Sequence, residues 1–237
     1  MWTPSALASE FIRYDNRVIR VVEAQHLIST NRLADSAADQ ALLETLADEV
    51  KPRLPAAART LPWLLASPFR YGYGRPSRFR SAETWPGIFY ASEEVETAIT
   101  EAAYWRLFAF SRSPGFTRPR TPTPMSAFSV RASTDAALDL TRPPFASDAT
   151  TWTDPIEYGP TQAFGAAART AGSELLRAPS ARRTFGVNVA VLAPAALVPP
   201  TKPHSSWAFL ATPGGLLATR EMSTISLRFT NEAFALS

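Results

Sequence analysis

The stretch from residue 87 to residue 107 reads GIFYASEEVETAITEAAYWRL, and it predicts a strand followed directly by a helix. Its apolar start at 87–90 is typical of a short strand. Ser92 is a candidate N-cap, and the two glutamates after it suit the positive end of a helix. Apolar residues then recur at helical spacing, at Val95, Ala98, Ile99 and Ala102. This pattern predicts one buried helix face.

The N-terminal part of the chain is predicted to be a mostly helical extension, residues 1–62, packed on the core. Ser36 and Asp39 have the spacing of a capping box. A helix face follows, at Leu42, Leu43, Leu46 and Val50. Pro52 and Pro55 would end this helix. We therefore place a boundary near residue 62 and expect one compact unit over 63–237.

The rest of the chain favours strands over helices. A helix is predicted at 161–171, with Thr161 as N-cap and Gly172 as the stop. Strands are predicted at 126–132, 136–141, 187–191, 207–211 and 224–230. A proline-rich loop occupies 113–124. This order does not alternate as in a doubly wound sheet, so it predicts an α+β fold.

Composition argues against several classes of protein. The net charge of +3 comes with scattered arginines, which is not the dense basic stripe of a nucleic-acid binder. The absence of cysteine excludes disulfides and thiolate metal sites. The two histidines, His26 and His204, have no partners at metal-ligand spacing, so no metal site is predicted. Without a signal peptide or a long apolar run, we expect a cytoplasmic protein.

Common nucleotide-binding and hydrolase motifs are absent from this sequence. Gly72 and Gly74 begin a G-x-G pattern, but Ser77 stands where the third glycine of a dinucleotide fingerprint belongs. Neither a P-loop nor a G-x-S-x-G elbow occurs.

Several segments in a fixed order resemble a known family. They read LLASPFRY at 64–71, SRF at 77–79, GIFYAS at 87–92, ETAITEAAYWR at 96–106, APSAR at 178–182 and GVNVAV at 186–191. Together they resemble the core of the RES domain, named for an arginine, a glutamate and a serine. VEAQHLIST at 22–30 resembles the N-terminal part of one RES subfamily. The sequence departs from the family at Ala178, where an aromatic residue is usual.

The resemblance implies a fold and a function. RES proteins have a fold similar to ADP-ribosyltransferases, with a split β-sheet around an NAD⁺ cleft. They act as toxins that degrade NAD⁺ or transfer its ADP-ribose. Their partners are Xre-like helix-turn-helix antitoxins, which block the cleft and bring the complex to DNA. NAD⁺ is thus expected as a substrate and no prosthetic group is expected; a homodimer is left open.

The resemblance assigns the catalytic set to Arg70, Glu101 and Ser180. Cleaving the ribose–nicotinamide bond develops positive charge on the ribose, which a fixed carboxylate such as Glu101 can stabilise. A planar guanidinium suits the pyrophosphate, which points to Arg70 and also to Arg78. Ser180 would hydrogen-bond the ribose or a phosphate, or orient the acceptor.

Two tyrosines complete the predicted binding residues. Tyr71 and Tyr90 can offer an aromatic face and a hydroxyl to the ligand. Ordinary alternatives stand beside these assignments: a helix-edge glutamate, surface arginines, core tyrosines and a turn serine.

Three functions remain open at this point. In an NAD⁺-cleaving enzyme the acceptor is water, inorganic phosphate or a protein, the last being mono-ADP-ribosylation. Phosphate would need an anion pocket, for which Arg78, Arg80 or Arg182 is available. A binding module without activity and a nucleic-acid binder, suggested by the sequence pI near 9.5, are the other two.

Overall fold

The computed structural model describes residues 2–24, 36, 38–39, 42, 45–46, 51–71, 76–82, 84–113, 115 and 117–236. The helices in this part of the chain are α1 (Pro4–Ala8), α2 (Trp63–Arg70), α3 (Val95–Ser111), α4 (Ala149–Thr153) and α5 (Gly159–Ala171). The strands are β1 (Ile12–Glu23), β2 (Phe89–Ser92), β3 (Thr123–Asp139), β4 (Leu175–Pro179), β5 (Val187–Val191), β6 (Leu197–Thr212), β7 (Gly215–Arg220) and β8 (Ser226–Thr230). The predicted α+β class is therefore confirmed.

The strands form one eight-stranded sheet in the order β1-β2-β5-β4-β3-β6-β7-β8. The long strand β3 also pairs with β1, antiparallel from Ile12↔Ala137 to Glu23↔Met125. On its other side β3 pairs first with β6 and then, at its end, parallel with β4. Because β1 also meets β2, five strands close into a ring, β1-β2-β5-β4-β3.

The closure between β1 and β2 is minimal. It consists of one residue pair, Ile19↔Ser92. Beyond this pair the two strands diverge, although β1 stays paired with β3 as far as Glu23. The ring is therefore only partly closed, because β1 and β2 separate on one side of this single pair.

Apolar residues on both faces of the sheet hold the helices. The face of α3 that includes Ile99, Ala103 and Leu107 packs against the buried Trp207 and Phe209 of β6. The face of α5 with Phe164 and Ala168 packs in a second cluster against residues of β3, β4 and β5. Burial of these large side chains is the main favourable contribution to folding.

The prediction of a mostly helical N-terminal extension is wrong for residues 12–23, which form β1. Four β-branched residues in a short run explain this, since they favour a pleated strand. They are Val18, Ile19, Val21 and Val22. Farther along, Asp39 N donates to Ser36 Oγ at 3.1 Å, as in the predicted cap. Leu43, Val50, His26 and most of the segment at 22–30 lie outside the described residues. The boundary near residue 62 stays a prediction.

Other predicted element ends are corrected in part. Gly172 ends α5 with φ 88°, as predicted, but the N-cap is Tyr158 rather than Thr161. Ser92 is not the cap of α3, because it belongs to β2 and the helix begins after Glu94. The predicted strands at 126–132 and 136–141 are one strand, β3. No helix in the described part of the chain is long and apolar enough to cross a membrane.

Candidate active site

A cavity of about 580 Å³ lies where β1 and β2 diverge. This volume is within the usual range of small-molecule sites, roughly 300–1,000 Å³. One face of α2 and one face of α3 form two of its walls, and residues 76–80 form another. The helices contribute Trp63, Leu64, Ser67, Pro68, Ala98, Glu101, Ala102, Tyr104 and Trp105, and Tyr71 follows directly after α2. The opened sheet therefore makes the cavity, and the two helices shape it.

Glu101 of α3 is the carboxylate in this cavity wall. Its Oε1 atom accepts hydrogen bonds from Ser180 Oγ at 2.7 Å and from Asn188 Nδ2 at 2.6 Å. Hydrogen bonds to an ionised acceptor are shorter and stronger than neutral ones. The carboxylate is thus held in one orientation by two donors from different strand ends.

Ser180, directly after β4, is buried and has a fully used hydroxyl. Its Oγ accepts the backbone N–H groups of Arg182 and Arg183, each at 3.1 Å. Both lone pairs of the oxygen are then occupied, so its own proton goes to Glu101. Ser180 does not line the main cavity but a separate hollow formed by 179–187. The predicted glutamate and serine are brought together, with the serine supporting the glutamate.

Three arginines in the cavity wall bind only neutral groups. Arg78 donates from Nη1 to the carbonyls of Trp152 at 3.0 Å and Asp154 at 2.8 Å. Arg20 donates to the carbonyl of Tyr90 at 2.8 Å.

Arg182 completes this set of arginines. It donates from Nη2 to the carbonyl of Pro155 at 3.0 Å and lies 3.5 Å from the ring centroid of Tyr104. Within the described parts of the chain, none of the three guanidinium groups forms an ion pair with a carboxylate.

These unpaired cations make the cavity favourable for an anion. Burial lowers the pKa of the Arg20 guanidinium to about 10. Burial also lowers the pKa of Arg78 below its ordinary value. A lowered pKa shows that the charged form is poorly solvated, and a bound anion would relieve this cost.

The predicted binding residues differ in their placement. Arg70 ends α2 and is not among the residues that line the cavity. Tyr71, the next residue, lines it and is 51% exposed. Arg78 lines it as described above. The structure therefore brings Arg78 rather than Arg70 into the cavity with Glu101.

Tyr90 of β2 has a structural use for its hydroxyl. This group hydrogen-bonds Ser77 Oγ at 2.9 Å and accepts the backbone N–H of Phe79 at 3.2 Å. Burial raises the pKa of Tyr90 above its ordinary value, which keeps the hydroxyl protonated. Tyr90 lines the cavity, and its hydroxyl fastens the loop that carries Arg78.

Residues that the sequence interpretation missed complete the site. Trp63 and Trp105 line the cavity and are 58% and 45% exposed, so they offer aromatic surface at its edge. Arg20 was missed because β1 was interpreted as helix. Asn188 was missed although a polar residue in the valine strand β5 is a visible signal. Among the described residues, no group of three or more His, Cys, Asp or Glu side chains could hold a metal ion.

The cavity therefore combines one fixed carboxylate, unpaired arginines and exposed aromatic rings. A sequence model of the RES domain matches residues 53–210. This chain belongs to the RES domain family. The matched residues include Arg78, Glu101, Ser180 and Asn188, whereas Arg20 precedes them.

Two further comparisons add little to this assignment. The RES protein described here has a structural match in the crystal structure of the M. tuberculosis MbcT–MbcA toxin–antitoxin complex. The match has a TM-score of 0.49 and 14% identity, and it covers 85% of this chain and 91% of the other. No curated protein sequence matches the chain.

Proposed function

We propose that this RES protein cleaves the nicotinamide–ribose bond of NAD⁺. The observation that carries the proposal is the Glu101 carboxylate, which Ser180 and Asn188 hold in a cavity that is also lined by arginines and exposed aromatic rings. NAD⁺ has a pyridinium leaving group, so its departure needs little acid catalysis. The enzyme must instead stabilise the positive charge that develops on the ribose.

The second oxygen of Glu101 is the group available for this task. Both donors form hydrogen bonds to Oε1, and no described residue forms a hydrogen bond to Oε2. In the proposed reaction Oε2 faces the ribose and either stabilises the developing charge or holds a ribose hydroxyl. A carboxylate that is already oriented does not have to reorganise during the reaction.

The cations and aromatic rings suit the rest of the substrate. A pyrophosphate is an anion that planar guanidinium groups bind well, and Arg78 and Arg20 are the candidates. Arg78 takes the part that the sequence resemblance assigned to Arg70, because Arg70 does not line the cavity. The exposed rings of Trp63, Tyr71 and Trp105 can stack on the two flat bases.

The family membership supports a biological role as well. We propose that the protein is the toxin of a toxin–antitoxin pair, that its partner is an Xre-like antitoxin which closes the cavity, and that the opened ring of strands is an ADP-ribosyltransferase-like split sheet. Water or inorganic phosphate is the proposed acceptor. Transfer of ADP-ribose to a protein is the alternative.

The test is release of nicotinamide from NAD⁺, followed by proton NMR with and without inorganic phosphate. We expect the wild-type protein to release nicotinamide and Glu101→Gln to be slower by at least about 100-fold, since it loses the negative charge at the reacting centre. Glu96→Gln is the matched control, because Glu96 is an exposed glutamate on the same helix.

Each outcome has a clear meaning. Release that requires phosphate makes the enzyme a phosphorylase, and release without phosphate makes it a glycohydrolase. If no nicotinamide appears from the wild type under either condition, NAD⁺ cleavage with these acceptors is wrong. Labelled NAD⁺ with cell extract then distinguishes transfer to a protein from a module without activity.

A further inference from the structure

We propose that Asn188 is a positioning residue that fixes the Glu101 carboxylate for the reaction. This inference rests on the proposed function, because it assigns Asn188 a part in the same chemistry. The serine, glutamate and arginine after which the domain is named do not include it. The geometry that carries it is a chain of hydrogen bonds, Ser92 to Asn188 to Glu101.

Asn188 supplies one of the two hydrogen-bond donors to Glu101. Asn188 Nδ2 lies 2.6 Å from Glu101 Oε1, a short distance even for a hydrogen bond to a carboxylate. Ser180 donates to the same oxygen. Two donors on Oε1 fix the rotation of the carboxylate about its last bond, so Oε2 points in one direction. Either donor alone would leave the carboxylate able to turn about the remaining hydrogen bond.

The side-chain amide of Asn188 has one orientation that satisfies both of its neighbours. Asn188 Oδ1 accepts a hydrogen bond at 2.7 Å from the buried hydroxyl of Ser92. If the amide turned over, its oxygen would stand 2.6 Å from the carboxylate oxygen, with acceptor facing acceptor. Glu101 therefore selects the orientation in which the amide donates to the carboxylate, and the Ser92 hydroxyl satisfies the amide oxygen on the other side.

The backbone at Asn188 is held by both neighbouring strands. The residue lies directly opposite Ser92 of β2 on one side and Ala178 of β4 on the other. Because β5 is paired along both edges, it cannot shift by one residue without turning every side chain to the opposite face. Asn188 therefore stands on a rigid strand, which is the support that a preorganised carboxylate needs.

Asn188→Leu is the most selective variant. It has a similar size and branching, removes the donor to Glu101 and adds no charge beside the carboxylate. Ser92→Ala is the second variant, since it leaves both donors to Glu101 but releases the amide. Asn16→Leu is the matched control, because Asn16 is exposed on β1 and is distant in role from the site.

The experiment measures kcat and KM for nicotinamide release, together with the melting temperature. For Asn188→Leu we expect kcat to fall by about 10- to 100-fold while KM changes by less than about threefold. For Ser92→Ala we expect a smaller fall in kcat in the same direction. Asn16→Leu should keep both constants.

A folded Asn188→Leu protein with wild-type kcat would overturn the inference. So would a rise in KM at constant kcat, which would make Asn188 a substrate-binding residue. A merely structural role predicts loss of folded protein with normal kcat per folded molecule. If Asn188→Leu does not fold, Ser92→Ala decides by the same criteria. A wild type that releases no nicotinamide removes the proposed function first, and this inference with it.

Discussion

Arg70 and Arg78 are close in sequence but have very different surroundings in the folded chain. Arg70 is the last residue of α2 and is absent from the cavity wall. Arg78 lies in the wall, where its guanidinium group donates to two backbone carbonyls. Its Cζ atom lies 4.6 Å from the centroid of the Tyr158 ring. Such a site uses the planar shape of arginine as well as its charge.

We therefore predict different effects for the same substitution at these two positions. Arg78→Lys should lower kcat/KM for NAD⁺ by about 10- to 100-fold, because lysine cannot reproduce the planar donor set. Arg70→Lys should stay within about twofold of the wild type. Steady-state nicotinamide release checks both. A larger loss at Arg70 would restore the assignment drawn from the sequence resemblance.

The sequence pointed to Glu101 and Ser180, which the structure brings together, because short motifs carry them; their catalytic roles stay a prediction. It did not point to Arg20 and Asn188, because their positions depend on pairing between distant strands. Asn188 reaches Glu101 from β5, where it lies opposite Ser92 of β2. Arg20 enters the cavity only because β1 leaves β2 after Ile19. Strand pairing of this kind is not encoded in local periodicity.

At the scale of elements, α5 holds the loop that carries Arg78. Thr161 at the start of the helix donates to the carbonyl of Arg78. Gln162 Nε2 donates to the carbonyl of Ser77 at 3.1 Å. One turn along the helix, Gly165 lies so close that an added Cβ would be 2.1 Å from the carbonyl oxygen of Phe79.

Gly165→Ala should therefore lower both stability and activity. Although alanine favours a helix by about 1 kcal/mol, the clash with backbone costs about 1–3 kcal/mol, so we expect a lower melting temperature. The displaced loop should also raise KM for NAD⁺. Gly214→Ala is the control, since nothing lies within 4 Å of its added Cβ. Equal melting temperatures for the two variants would contradict the close contact.

Element prediction succeeded where the signals were local. The stop of α5 at Gly172 and the strand at 187–191 agree with the structure. The helical interpretation of residues 12–23 failed because it did not give weight to the run of β-branched residues around Val18. The N-caps predicted at Ser92 and Thr161 are wrong because the helices begin elsewhere, α3 after Glu94 and α5 after Tyr158. The two hydroxyls instead donate tertiary hydrogen bonds, to Asn188 and to the carbonyl of Arg78.

At the scale of the whole molecule, a network of charges joins the strands of the ring. Arg177 of β4 binds Glu93 through two hydrogen bonds of 2.8 and 2.9 Å. Its Nη1 atom lies 3.2 Å from Asp139 at the end of β3. Tyr14 of β1 donates to Glu93 at 3.0 Å, and burial together with Glu93 raises the pKa of Tyr14. The network connects β1, β3 and β4 with the segment before α3.

Arg177→Met should destabilise the fold strongly. It would leave the largely buried carboxylates of Glu93 and Asp139 without their shared cation, which typically costs about 3–5 kcal/mol. Urea unfolding followed by circular dichroism measures the change. Arg131→Met is the control, because its ion pair with Asp15 is more exposed and should matter much less. A similar loss in the free energy of unfolding for both variants would show that the Arg177 network stabilises the fold no more than an exposed ion pair does.

The two groups that hold Glu101 lie 79 and 87 residues after it in the chain. A ribosome that adds about 5–20 residues per second makes the glutamate several seconds before the serine and the asparagine. During this interval the nascent chain lacks the donors that orient the carboxylate and the lining residues that β4 and β5 supply. A chain that stops before residue 180 would therefore carry the glutamate without either donor. If Glu101 acts as proposed, the order of synthesis delays activity until most of the protein has been made.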